Sequence, residues 1–327
     1  MVVRAYIETA QPIGSRTLVD QYGLNYSAAT IRNDLAALEE MGYLTHPHTS
    51  AGRLPTEEGY RYFVENLLGE GELPVSERQM IQHQFHQAQL DVDQWMRLAA
   101  AVLAHTAHNA ALITVPKTAQ SRFKHIELIS LHDTVVLLVL VLMGGAVKQQ
   151  MFTLDGSMDQ EHLSRLSNEL NALLDGMTAD DMAGRVSHAN DLGRQVIGLV
   201  QTIVRQAEGR AGEQIYQAGL RQALEEPEFA EGDSARQIVQ ILEERPLLDS
   251  ILANMQDLNT VQVIIGGEGR WDVLRDISLV ISRYGLKEGA TGLLGVVGPT
   301  RMPYARTIST VRFVSMLMSD LLQEWYG

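Results

Sequence analysis

The sequence predicts an α+β fold of two or three domains, opened by a small helix-turn-helix unit. Three observations carry that prediction. Residues 27–41 repeat apolar side chains at helical spacing behind a serine cap. Residues 125–154 alternate short apolar runs with turn pairs, as a strand meander does. Residues 302–325 close the chain on a long one-faced helical pattern. At 327 residues there is ample core to bury, and 45% hydrophobic with 20% charged residues is ordinary for a globular chain.

Taken in order, Val2, Val3, Tyr6 and Ile7 read as the end of a first helix, halted at Pro12. Residues 15–22 read as a short helix and Gly23-Leu24-Asn25 as a tight turn. Ser27 then caps a second helix by accepting from a free first-turn amide. Ile31, Leu35 and Leu38 give that helix a buried stripe, with Thr30, Arg32, Asn33 and Asp34 beside it. Gly42 follows where a C-terminal cap favours glycine. Two helices across a glycine-bearing turn make a helix-turn-helix, whose second helix presents its first residues to base edges. Residues 43–46, the polar loop 47–52 and residues 53–56 read as strand, loop and strand, the wing of a winged helix.

Gly69-Glu70-Gly71-Glu72-Leu73-Pro74 is a linker by composition. One long helix is expected from Ser76 to about Asn109, its stripe made by Met80, Phe85, Ala88, Val92, Trp95, Ala99 and Val102. A strand follows at 111–115. Residues 125–131, 135–143 and 147–154 form a three-stranded meander with turns at His132-Asp133 and Gly144-Gly145. Helices at 159–175 and 190–208 then complete a self-contained inserted unit. From Ile215 further helices are expected, including 234–244 and 247–258 on either side of Pro246. Strands at 261–265, 277–283 and 290–297 precede the closing helix, which places Tyr304, Ile308, Val311, Ser315, Met318, Leu322 and Trp325 on one face. This layout suggests an α+β sensor-like domain. The expected boundaries are 1–68 for the winged helix, 75–119 with 214–327 for a discontinuous domain, and 120–213 for the insert.

Composition narrows the function. There is no cysteine, which removes disulfide and thiolate chemistry and fits a reducing compartment. No charged-then-apolar leader begins the chain, and the longest apolar run, 135–143, falls far short of the ~20 residues a spanning helix needs. No membrane partner is expected. The net charge is −14, which opposes indiscriminate nucleic-acid binding. Within residues 1–66, Arg4, Arg16, Arg32, Arg53 and Arg61 face eight carboxylates, for a net −3. A single copy should therefore grip DNA weakly, and useful affinity requires a homodimer with two recognition helices.

The candidate DNA-binding residues are Ser15 and Arg16 on the first helix of the motif, Ser27, Thr30, Arg32 and Asn33 on the second, and His48, Ser50 and Arg53 in the wing. Arginine reads guanine and asparagine reads adenine, each discriminating by ~1–3 kcal/mol. Small polar residues and an arginine on a loop suit phosphate or minor-groove contact. The histidine pairs His46/His48, His83/His86 and His105/His108 lack the carboxylates that complete a metal site and read as surface residues. Gly266-Gly267-Glu268-Gly269 lacks the ending of a phosphate loop and reads as a turn. Gly289, Gly292, Gly295 and Gly298 read as positions of twist and close backbone approach. Gly298 to Tyr304 reads as the cap of the last helix, with Thr300 or Arg301 available for a contact between domains. No nucleophile, base and orienter can be assembled and no carboxylate pair stands out. Neither catalysis, a cofactor nor a metal is expected.

The segments YIETAQPIGSRTL, LNYSAATIRNDLAALEEMGYLTHPHTSAGRLPTEEGYRYFV and GLLGVVGPTRMPYARTISTV resemble the HrcA family of heat-inducible repressors of bacterial chaperone operons. The resemblance implies a winged helix followed by a GAF-like domain that carries an inserted dimerisation unit. It implies a cytoplasmic homodimer on a CIRCE-type inverted-repeat operator of double-stranded DNA, kept active by the GroEL chaperonin. Family members carry another turn or more of the first helix, which suggests a start codon upstream of Met1 and, failing that, a less stable first domain. The inserted unit is the expected dimer contact, because its helices carry apolar stripes. A rival reading is a regulator whose GAF-like domain senses a small molecule, which would show as saturable thermal stabilisation. A third is an interaction protein that uses the winged helix on other proteins.

Overall fold

A computed structural model describes residues 1–48, 51–69, 71–88, 91–116, 121–143, 146–210, 215–229, 233–243, 257–266, 274, 276–286 and 290–326. The fold is α+β, and the chain divides into two compact units. Unit 1 holds Met1–Thr114, Ile215–Tyr284 and Leu293–Ser319; unit 2 holds Val115–Gln214, Gly285–Gly292 and Asp320–Gly327.

Unit 1 begins with helices α1 (Val2–Thr9), α2 (Ser15–Tyr22) and α3 (Ala28–Glu40), the two-residue strands β1 (Leu44–Thr45) and β2 (Leu54–Pro55), and helix α4 (Glu57–Tyr62), which runs into a π-helical turn at Phe63–Leu67. Each boundary has a local cause. Ser27 Oγ accepts from the Thr30 amide at 3.1 Å and starts α3. Gly23, at φ 60°, ends α2 in the left-handed conformation glycine adopts freely. Thr56 caps α4 and also donates to the Gly42 carbonyl at 2.6 Å, which ties β2 to the end of α3. Val2, Ala5, Ile13, Leu18, Leu35 and Leu44 form the core of this segment.

The stripe of α3 is only partly buried. Leu35 is buried and Ile31 half-buried, but Leu38 is 38% exposed. The two-residue strands are too short to cover the C-terminal half of α3. A cavity of about 550 Å³ remains there, lined by Val3, Ile31, Leu38, Tyr43, Tyr62 and Leu67 among others.

The expected long helix is two helices, α5 (Val75–Gln87) and α6 (Val92–Ala107). Ala88 takes an extended ψ of 132°, and Asp91 Oδ1 accepts from the Asp93 amide at 3.0 Å, so a new helix starts there. Met80 is exposed, and Ile81 and Phe85 are the buried residues of α5. Strand β3 (Ala110–Thr114) follows. After unit 2 the chain returns not as a helix but as strand β7 (Ile215–Ala218), antiparallel to β3. Helices α10 (Leu220–Leu224) and α11 (Asp233–Glu243) and strands β8 (Val261–Ile265), β9 (Ile277–Gly285) and β10 (Thr291–Pro299) precede the last helix, α12 (Tyr304–Tyr326). The second half of the expected helical pair, 247–258, falls outside the described residues except at its end.

The five strands lie in the order β7-β3-β10-β9-β8. On β9, Ile277, Leu279 and Ile281 join Leu112, Leu293, Ile238 and Ile241 in one core. The alternate residues meet α12: Ser278 Oγ lies 2.9 Å from Tyr304 Oη, and Ser282 Oγ 3.0 Å from Ser315 Oγ. The period of two along the strand thus gives one face to Ile277, Leu279 and Ile281 and places Ser278 and Ser282 on the other. A Cβ on Gly295 would lie 2.5 Å from Ile281 Cγ2, so this glycine does permit close packing of β10 on β9.

Unit 2 is a three-stranded antiparallel sheet of β4 (Phe123–His132), β5 (Val135–Leu142) and β6 (Val147–Thr153) with helices α7 (Gln160–Leu174), α8 (Ala179–Ala183) and α9 (Asp191–Arg210). Thr178 and Asp181 close a capping box on α8, a short helix the periodicity did not predict. The apolar stripes of α7 and α9 are spent inside the unit: Leu163, Leu166, Leu170, Val196, Val200 and Ile203 pack on Ile126, Leu128, Leu138 and Leu140. The apolar surface left over is the other face of the sheet. There Ile129, Leu137 and Met151 sit side by side across the three strands. Ile129 is 38% and Met151 65% exposed, and Val147 is exposed beside them.

Candidate nucleic-acid interface

The candidate residues separate into two groups. Arg16 on α2, and Ser27, Thr30, Arg32 and Asn33 at the start of α3, are all exposed. The cap that starts α3 fixes their place, because Ser27 and Thr30 bind each other through both a backbone amide and an Oγ–Oγ contact of 2.9 Å. Arg16, Arg32 and Asn33 have no hydrogen-bond or ion-pair partner among the described residues. A donor fork and a carboxamide are therefore held out on a rigid helix start with their polar atoms uncommitted. That is what base-edge or phosphate recognition demands. Ser15 differs: it is buried at the first turn of α2.

Tyr26 belongs with the exposed group and was not picked out by residue type. It precedes the cap, where an apolar residue packs on the fourth helical residue as a staple. Here that partner would be Ile31. Instead Tyr26 stands 66% exposed, a flat amphipathic ring at the mouth of the motif.

The hairpin is organised by a carboxylate. Glu39, near the end of α3, pairs with Arg53 Nη2 at 2.7 Å and with His46 Nδ1. The backbone of Arg53 is anchored as well, exchanging hydrogen bonds of 2.8 and 2.9 Å with Ile13. A Cβ on Gly52 would lie 2.6 Å from the Ile13 and Pro12 backbones, so only glycine lets the hairpin close on this segment. Arg53 is thus tied at both backbone and side chain. His48 is exposed, with its carbonyl accepting from Ala51 at 2.9 Å. Ser50 lies outside the described residues. Among the described residues there is no group of three or more histidine and carboxylate side chains placed to hold a metal. No described helix is long and apolar enough to cross a membrane.

Comparison with known proteins adds the family. A model of the HrcA protein C-terminal domain matches residues 93–308. A heat-inducible transcription repressor HrcA from Roseiflexus castenholzii is 45% identical over 335 residues, covering all of this chain and 93% of that protein. The chain belongs to the HrcA family. A second relative of the same name, from Herpetosiphon aurantiacus, is 45% identical over 334 residues, covering all of this chain and 94% of its own length. A solved crystal structure of a hypothetical protein shares the fold at a TM-score of 0.67 and 23% identity, across 99% of this chain and 96% of that one. The protein is accordingly a heat-inducible transcription repressor, a negative regulator of heat-shock transcription and not an enzyme.

Proposed function

We propose that the repressor acts as a homodimer on an inverted-repeat operator of the CIRCE type. On this reading the first 68 residues are a winged helix, α3 is the recognition helix and the β1–β2 hairpin is the wing. Ser15, Arg16, Ser27, Thr30, Arg32, Asn33, His48, Ser50 and Arg53 make up the DNA-facing set, joined by Tyr26. The observation that carries the reading is the uncommitted Arg32–Asn33 pair on a serine-capped helix start, flanked by α2 and a hairpin. Ser15, being buried, would act by packing α2 rather than by touching DNA, and Arg53 would reach a phosphate only in competition with Glu39.

The rest of unit 1 serves as the GAF-like domain and unit 2 as the dimerisation unit. The support for the latter is the outer sheet face at Ile129, Leu137 and Met151 rather than the helices, whose apolar stripes are already used. An antiparallel sheet tolerates one wet face when that face is polar. A central strand of eight aliphatic residues, apolar on both faces, instead calls for a partner. A second copy provides one by isologous packing. The GroEL-type chaperonin is the partner that would maintain activity, and the cytoplasm the compartment.

The test is a gel shift with the CIRCE-type repeat, either paired or cut to one half-site, with and without chaperonin. Strong preference for the paired site, with an affinity that falls only moderately as salt rises, supports the reading. Equal binding to one half-site by a monomer refutes it.

A further inference from the structure

The Gly298–Tyr304 stretch does more than cap α12. Arg301 is 13% exposed, and its guanidinium is shared between three partners on two other chain segments. Nε donates to Glu228 and Nη2 to Glu226, both in the turn after α10. Nη1 reaches the carbonyl of Ile7 at 3.4 Å. Ile7 lies in the last turn of α1, where carbonyls lack intrahelical partners and a cation is favoured.

Two further contacts of unit 1 run alongside. The ring of Tyr60 on α4 lies 6.0 Å from that of Tyr304. A Cβ on Gly266, at the end of β8, would fall 2.1 Å from the Glu57 carboxylate, so α4 presses directly on the sheet domain. The connecting segment is held too, with Ser309 Oγ donating to the Gly71 carbonyl at 2.7 Å. The N-terminal helices therefore do not swing from the glycine-rich linker; they are docked.

We propose that Arg301, with Glu226 and Glu228, is the joint that fixes the angle of the N-terminal helices on the five-stranded sheet, and through it the half-site spacing the repressor accepts. Arg301 is a positioning residue: it touches no DNA. This inference rests on the operator reading above. A rigid joint makes two recognition helices act as one ligand of fixed pitch, whereas a loose joint lets each find its half-site independently at the cost of effective concentration.

The experiment measures binding to three duplexes: the paired repeat, the same repeat with 5 base pairs inserted at its centre, and a single half-site. The insertion turns one half-site about half a helical turn. For the wild-type chain it should weaken binding about 100-fold, within the range bivalency commonly contributes. Arg301→Gln should shrink that penalty to about 10-fold or less and leave single half-site affinity within about twofold. Because Arg301→Gln leaves two carboxylates facing each other, the triple variant with Glu226→Gln and Glu228→Gln is measured in parallel. Circular dichroism at the assay temperature shows which variants are folded.

An unchanged insertion penalty in a folded variant overturns the proposal. So does equal loss on single and paired sites, or loss of the fold in both variants, which would make Arg301 a core strut. A wild-type chain with no preference for the paired site would instead overturn the operator reading and leave the docking contacts standing.

Discussion

Glu39 offers the sharpest test of how the DNA-facing surface is tuned. It sits on the recognition-helix candidate yet spends its acceptor oxygens on Arg53 and His46 at the base of the hairpin. Replacing it by glutamine keeps the size and an acceptor for Arg53 while removing one negative charge per protomer. The folding cost is small, since pairs only a fifth to a quarter exposed that keep a neutral hydrogen bond lose about 0.5–1 kcal/mol. The gain on DNA is larger. Arg53 released to one phosphate makes a charge-assisted bond, gross about 1.5–3 kcal/mol, offset by the lost intramolecular pair. A net of about 1 kcal/mol per protomer is a factor of about five, or about 25 for a dimer. The slope of log affinity against log salt should steepen by about 0.9 for each phosphate gained. Fluorescence anisotropy on operator and scrambled duplexes at several salt concentrations measures both quantities. The gain should appear on both duplexes, so specificity falls as affinity rises. It should vanish when Arg53→Ala is added. An Asp or Glu at 39 that merely braced the hairpin would behave oppositely: Glu39→Gln would bind more weakly with an unchanged slope, and the reasoning would be refuted.

Three other outcomes are expected. Arg32→Ala and Asn33→Ala should each weaken operator binding by about 1–3 kcal/mol without moving the melting temperature, because neither side chain has a partner in the fold; wild-type binding by both would remove α3 from the interface. Leu137→Asp combined with Met151→Asp should convert the proposed homodimer to monomer by light scattering while the circular dichroism holds, since the core of unit 2 lies on the other face of the sheet; a persisting dimer places the contact elsewhere. The Tyr216 phenol is pushed up to about 12, chiefly by burial and then by its hydrogen bond to Asp93. Its contribution to stability is therefore complete below the unfolded value near 10 and is lost as pH rises towards about 12. Tyr216→Phe should flatten alkaline denaturation in that window but not abolish it, because burial also raises Tyr284 and Tyr304; an unchanged alkaline slope would show that this phenol contributes nothing there.

What the sequence made legible was local. Ser27 and Gly23 announce their helix ends within three residues, and each does cap or terminate the helix expected of it, while Asp159, read as the first helical residue, is the cap that starts α7. The three-strand meander was legible because its turns lie between its strands. What was missed depends on distant partners or on competing local signals. Residues 215–218 are too few to declare themselves, and they become a strand only by pairing with β3, a hundred residues earlier. The α5–α6 break was written in Asp91 and Asp93, but a stripe that continued across it masked the cap. Arg301 stands in a Gly-Pro turn and so reads as a helix cap, while its three partners lie 73, 75 and 294 residues away. Leu38 obeys the helical period and is still exposed, because burial needs a cover and the hairpin strands are only two residues long.

The acidity of the N-terminal segment stops being an objection once its five arginines are followed individually. Arg4 lies 5.9 Å above the Phe63 ring, Arg53 is held by Glu39, and Arg61 is partly buried. Only Arg16 and Arg32 are exposed and without a partner among the described residues. The proposed dimer would then bring about four uncommitted cations to DNA, for a salt slope near −3.6, well short of the −5 to −9 of proteins making six to ten phosphate contacts. With so little non-specific attraction a lone protomer should barely bind, and most of the affinity should come from engaging two half-sites at once. On that proposal, repression responds to anything that lowers the concentration of folded dimer, because below saturation the occupied operator fraction falls with up to the first power of dimer and the second of monomer. A heat-responsive repressor would gain from that arrangement: halving the folded protomers would lower operator occupancy by up to about fourfold, where a strongly basic domain would stay bound.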